Sequence, residues 1–129
     1  MKAPITVFVD SDVVISSLIS SIGAAYQLIN HPNLKLFISD ISTKEQEVVI
    51  DRLGLDIKCY KDIIMKRFTI IKLKKSLTEV KKAYSLYVTD INDAHIVAGA
   101  VDSGVNFLIS YNFFECLGKI RERSKGQLA

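Results

Sequence analysis

Cysteine is scarce: the 129 residues contain two, Cys59 and Cys116, far apart in the chain. They form no metal-ligand pair, and nothing at the N-terminus resembles a signal peptide, so an intracellular, reduced, cytoplasmic location is expected. Long apolar runs are missing too. Serine or charge interrupts each of them before about 18 residues, so no transmembrane span is indicated. No internal repeat, low-complexity tract or interdomain linker breaks the chain, and one domain over residues 1–129 is expected.

What remains is an ordinary globular composition, 49% hydrophobic and 24% charged, with a net charge of +3. The charge is unevenly placed. Between Lys58 and Lys82 nine Lys/Arg residues face two acids, Asp62 and Glu79. Such a segment suits a phosphate backbone, and it equally suits a solvated face of surface helices.

Residues 5–9, Ile-Thr-Val-Phe-Val, run straight into Asp10-Ser11-Asp12 and a second apolar stretch. This predicts a buried strand over about 4–10 handing over directly to a helix over about 12–20. A break at Ser21 and Gly23 precedes a helix over 24–30, and His31-Pro32-Asn33 is turn chemistry. A strand is predicted over 34–39, then a helix starting within 40–42, with Ser42 and Glu45 at capping-box spacing, and ending near Gly54. Further helices are predicted over 56–67, 76–87 and 94–101, with strands over 69–73 and 105–110. Past Phe114 no clear final strand is legible. Strands alternating with helices predict a three-layer α/β/α sandwich around a mainly parallel sheet of 4–5 strands.

Ligands of open α/β sheets bind beyond the carboxyl ends of the strands, and four positions there carry an acid or an amide. Asp10 ends the first strand. Glu45, with Ile41, Val48 and Val49 as helical neighbours, is expected on the interior side, whereas Glu47, among the mixed set Thr43, Lys44, Ile50 and Asp51, is expected to lie more toward solvent. A buried carboxylate is costly unless paired or metal-bound. Asp93 opens an almost wholly apolar helix with Ile96 and Val97 on its face, while for Asp90 helix capping is explanation enough. Asn112 follows Ser110 at a strand end and serves as well as a plain helix N-cap. If these converge, their like charges require a cation, and oxygen ligands select Mg²⁺ or Mn²⁺ over zinc. Such a site suits phosphodiester hydrolysis. His95, the histidine nearest these acids, is expected to pack on its helix or touch substrate rather than act as base.

In order and spacing these residues resemble the PIN domain family, which includes the toxin halves of VapBC-type toxin–antitoxin pairs. Asp10-Ser11-Asp12-Val13-Val14 matches its opening strand-to-helix motif, with Asp12 in place of the usual Asn. Glu45 stands six residues after Ser39, as the family's second acid does after a strand-end Ser. Asp93-Ala94-His95-Ile96-Val97-Ala98 matches its third motif, and Ser110-Tyr111-Asn112 its last, with Asn in place of Asp. The resemblance spans residues 5 to about 114. It implies a Mg²⁺- or Mn²⁺-dependent endoribonuclease acting on RNA, a homodimer, and an antitoxin that covers the site. Asp10, Glu45 and Asp93 would be the metal carboxylates and Asn112 a fourth ligand or water-positioning group. Ser11, Asp12, Asp90 and Ser110 would be supporting residues, and Lys44, Lys72, Lys74 and Lys75 would meet nucleic acid.

Two rivals stand beside this one. Asp10-Ser11-Asp12 also resembles the opening motif of haloacid-dehalogenase-like phosphatases, with Asp10 as nucleophile and Asp12 as acid/base. That family places a hairpin after the motif, and it leaves Glu45 without a purpose. A non-catalytic PIN-like module binding RNA or protein is the other.

Overall fold

The computed structural model describes residues 4–74, 76–84, 94–110 and 114–116. The elements follow in the order β1 (Ile5–Val9), α1 (Ser11–Ile19), α2 (Ala24–Ile29), β2 (Leu34–Ser39), α3 (Asp40–Leu53), α4 (Ile57–Arg67), β3 (Phe68–Ile71), α5 (Leu77–Tyr84), α6 (Ala94–Ser103), β4 (Phe107–Ile109) and β5 (Phe114–Cys116). One five-stranded sheet runs β3-β2-β1-β4-β5. The first four strands are mutually parallel, and β5 pairs antiparallel to β4 with Ile109 opposite Phe114. The expected mainly parallel α/β/α architecture is what forms.

β5 is the element that the sequence hid. Three residues, Phe-Glu-Cys, are too short to show a period-two pattern, and only the pairing to β4 makes them a strand. The capping expected of Ser42 is also displaced. Strand β2 passes into α3 without a linker, so Ser39 serves as the N-cap and Ser42 already lies inside the helix.

The pleat of β1 divides the core. Val7 and Val9 face one side with Leu36 and Ile38, where α1, α2, α3 and α4 contribute Val13, Val14, Ile29, Ile50, Tyr60 and Ile64. Phe8 faces the other side with Leu108 and with Ile96, Val97 and Ala100 of α6. A smaller cluster joins Val80 of α5 to Ala94 and Ala98 of α6. Both faces of β1 are thus covered, which is why its sequence is continuously apolar. Arg67, at the end of α4, donates from Nε to the Ile29 carbonyl and from Nη2 to the His31 carbonyl, each at 2.7 Å. It ties α4 to the last turn of α2, so this member of the basic segment is structural.

Gly99 is required by packing. A Cβ there would stand 2.5 Å from Cζ and 2.8 Å from Cε2 of the fully buried Phe8 ring. Replacing Gly99 with Ala gains about 1 kcal/mol of helix propensity, but overpacking a closed core costs about 1–3 kcal/mol or more. With the ring walled in by α6 and the sheet, the second effect wins. G99A is expected to lower the unfolding free energy measured in urea, and F8L introduced with it is expected to recover part of the loss.

Candidate active site at the carboxyl edge of the sheet

Parallel pairing brings four strand ends to one edge. The register sets Val9 opposite Ile109 and Ser39 opposite Ile71, so Asp10, Ser39 with Asp40, Lys72 and Ser110 all follow strands at that edge. Asp10 is held most firmly. Its backbone N–H donates to the Ile109 carbonyl at 3.0 Å, and its carbonyl accepts from Val13 at 3.2 Å. Its carboxylate caps α1, accepting from the Ser11 N–H at 2.6 Å, and the residue is buried. The N-terminal end of α1 carries positive partial charge, which favours a carboxylate in that place. Asp12 lies in the first turn of α1. The partly buried Ser11 Oγ has no hydrogen-bond partner among the described residues.

Glu45 differs from expectation. Its side chain is 55% exposed, and the buried row of α3 is Ser42, Gln46 and Ile50. Reading its neighbours as an apolar surround gave too much weight to Val48, which is itself 58% exposed. With the helix capped at Ser39, the i, i+4 row starting at Ser42 turns inward and Glu45 flanks it. Glu45 nevertheless has a partner. Its Oε2 lies 3.3 Å from Nε2 of His95, whose side chain is only 4% exposed. Because α3 packs on one face of the sheet and α6 on the other, this pair links the two helical layers. Glu47 is exposed, as its mixed neighbours indicated.

The placement of α3 depends on two further bonds. At its start, the Ser39 Oγ accepts from the Ser42 N–H at 3.1 Å. Farther along, the Tyr60 hydroxyl of α4 donates to Gln46 Oε1 at 2.5 Å, between two fully buried side chains. Asp40, in the first turn of α3, accepts from the Ile41 N–H at 2.9 Å. In the sequence this partly buried acid at the same edge reads only as a helix start. The signal was present, since Ser39-Asp40 ends a strand and opens a helix just as Val9-Asp10 does. The contact of His95 with Glu45 had no such signal, because nothing in the spacing of two residues on different helices announces it.

Lys44, Lys72 and Lys74 are exposed. The Lys74 N–H donates to Asp102 Oδ2 at 3.2 Å, anchoring the segment after β3 to α6. Asp90, Asp93, Asn112 and Lys75 lie outside the described residues. Among the described residues no group of three His, Cys, Asp or Glu side chains is close enough to hold a metal.

The immediate passage from β1 to α1 at Ser11 leaves no room for the hairpin that the phosphatase reading requires. The PIN domain family model matches residues 6–113, and the chain belongs to the PIN domain family. Among solved structures, it is similar to VapBC2 from Rickettsia felis, crystallised with a DNA fragment from the promoter, at 15% identity and a TM-score of 0.62 over 84% of this chain and 89% of that one. It is also similar to VapC20 from Mycobacterium tuberculosis, a toxin cleaving the sarcin-ricin loop, at 15% identity and a TM-score of 0.57 over 81% and 88%. At this identity the likeness is one of fold. Among curated proteins nothing matches the chain.

The bond between Tyr60 and Gln46 generates a prediction with a pH signature. Burial, helped by the Glu47 charge, pushes the Tyr60 phenol well above its usual range. The unfolded phenol ionises above about pH 10 while the folded one keeps its proton, so stability falls as pH rises past that point. Tyr60→Phe is expected to cost about 1–3 kcal/mol near neutral pH by orphaning the buried Gln46 Oε1, and to make the alkaline loss shallower. Urea unfolding of both proteins, near neutral pH and above about pH 10, checks both parts.

Proposed function

We propose that this PIN-domain protein is a Mg²⁺- or Mn²⁺-dependent endoribonuclease, the toxin of a toxin–antitoxin pair, acting as a single domain over residues 1–129. The observation that carries the reading is the buried Asp10 carboxylate, pinned at the carboxyl end of central strand β1 by both α1 and β4. Family membership and the fold it shares with VapC proteins support the same reading.

The donor set fits a hard divalent cation. Asp10 and Glu45 offer oxygens only, which suits a hard divalent cation better than zinc. Asp10, Glu45 and Asp93 are the proposed metal carboxylates, with Asn112 as a fourth ligand or water-positioning group. When bound, the ion would supply an activated water and neutralise phosphate charge. Asp10 anchors that site at the end of the central strand of the sheet. The Ser11 Oγ, which lacks a partner among the described residues, is suited to donate to a phosphate oxygen or a ligand water. Asp12, Asp90 and Ser110 are supporting residues. Lys72 and Lys74, leaving β3 at the same edge, and Lys44, next to Glu45, are placed to follow an RNA backbone, a role extended to Lys75 by its position in the chain.

An antitoxin covering the site, a homodimer and a cytoplasmic location are part of this proposal. No helix among the described residues is long and apolar enough to cross a membrane.

Asp10→Asn is expected to abolish divalent-ion binding and RNA cleavage while the fold persists, and loss of like-charge repulsion is expected to leave the metal-free protein as stable or more so. Isothermal titration with Mn²⁺, cleavage of RNA and circular dichroism measure the three parts. Unchanged nuclease activity in this variant would sink the reading. Turnover of a small phosphomonoester through a covalent aspartyl-phosphate would favour the phosphatase instead, and RNA binding with no cleavage by the wild-type chain would favour a non-catalytic module.

A further inference from the structure

Glu45 presents a difficulty for any role as a ligand. Its side chain is more than half exposed on the surface of α3, and a long carboxylate in that setting is free to sample several rotamers. Ordering such a side chain costs up to about 1.5–2 kcal/mol, which a metal site would have to supply on every binding event. Asp10 has no such freedom, being buried and fixed as a helix cap.

His95 removes part of that freedom. The ring is nearly enclosed, between the fully buried Ala94 and Ile96 in the sequence of α6, a helix buried along every residue from Ala94 to Ala100. Its Nε2 meets Glu45 Oε2 at 3.3 Å. A carboxylate only accepts, so in this N···O contact the imidazole is the partner able to donate. The Nδ1 atom has no hydrogen-bond partner among the described residues, so packing fixes the ring, which meets Glu45 through Nε2 alone. A rigid donor from one helical layer thus holds a mobile acceptor from the other.

We infer that His95 is a positioning residue for Glu45: it holds the carboxylate over the carboxyl edge of the sheet so that the second oxygen, Oε1, is left to serve a divalent cation. The inference rests on the nuclease reading given above and deepens it, since that reading assigns His95 no part. The chemistry is that of the outer partners that orient metal ligands in general, whose loss costs about 10–100-fold in metal affinity. His95 itself touches neither metal nor substrate.

The test is a double-mutant cycle in Mn²⁺ affinity, measured by titration on the full-length protein, with circular dichroism to confirm folding. His95→Leu is expected to weaken Mn²⁺ binding about 10–100-fold. His95→Gln, long enough to keep a donor near Glu45, is expected to retain most of the affinity, while the shorter His95→Asn loses it. In a Glu45→Ala chain, already weakened, His95→Leu is expected to change the affinity no further. A merely structural histidine would cost the same in both backgrounds, and that result overturns the inference. So does an unchanged affinity in His95→Leu. Should His95→Leu not fold, the contrast between Gln and Asn, each with and without Glu45, decides by the same criterion. If Mn²⁺ binding depends on Asp10 and Glu45 but not on His95, the positioning role alone falls. If the wild-type chain binds no Mn²⁺, the nuclease reading falls and the role goes with it.

Discussion

Because β1 pairs in parallel with β2 on one side and β4 on the other, its carboxyl end is enclosed by neighbours that end at the same level. The chain must then leave the sheet at once, and it does so by starting α1 on the next residue after Asp10. Asp10 satisfies three demands in that step. Its amide completes the sheet at Ile109, its carbonyl starts the helix, and its side chain caps it. A carboxylate is tolerated in so buried a place because the helix N-terminus supplies donors and partial positive charge. Neighbouring strand β2 repeats the device with Ser39 and Asp40. The edge therefore collects acids as a consequence of how strands turn into helices, before any question of catalysis arises.

That consequence explains which features could be read from the sequence. The run from Ile5 to Val14 contains its own strand, its own helix and the polar residues between, so β1, Asp10 and α1 are local facts. The wholly apolar stretch after Ala94 is local in the same sense, and it is the buried helix α6. Glu45 is different, because its direction depends on the phase of α3. A helix turns about 100° per residue, so assigning the cap to Ser42 instead of Ser39 carries no warning in the sequence and yet changes what the first turns are taken to face. Its apolar neighbours Val48 and Val49 pointed inward on paper. In the fold, the inward row is polar at two of its positions, Ser42, whose hydroxyl meets that of Ser39, and Gln46, whose Oε1 accepts from Tyr60. Buried polar residues of this kind defeat hydrophobic patterning, since the pattern does not know that a partner waits on another helix. β5 fails for a simpler reason: three residues owe their strand to Phe107, Leu108 and Ile109 alongside them.

The same distinction separates local from tertiary signals of function. Asp10-Ser11-Asp12 is shared by two families because a strand-end acid followed by a second acid is short and generic. What distinguishes them is the element that follows, and a helix beginning at Ser11 satisfies one family and not the other. Glu45, by contrast, was informative in the sequence for a reason that the structure revises. In the sequence it reads as a buried charge in want of a partner; in the fold it is an exposed charge that has one.

The revision alters what holds the site together. A buried Glu45 would have been fixed by its own surroundings, at the full cost of desolvating a carboxylate. An exposed Glu45 avoids most of that cost but needs an external constraint, and the constraint comes from the opposite layer through His95. The two carboxylates are therefore held by different means, Asp10 by its own backbone and helix, Glu45 through a buried ring some fifty positions away in the chain. As a metal site, such an edge would keep one rigid anchor and one carboxylate that relaxes when its tether is lost. In such a site, changes at α6 that reorient the His95 ring act on Glu45 and leave Asp10 in place.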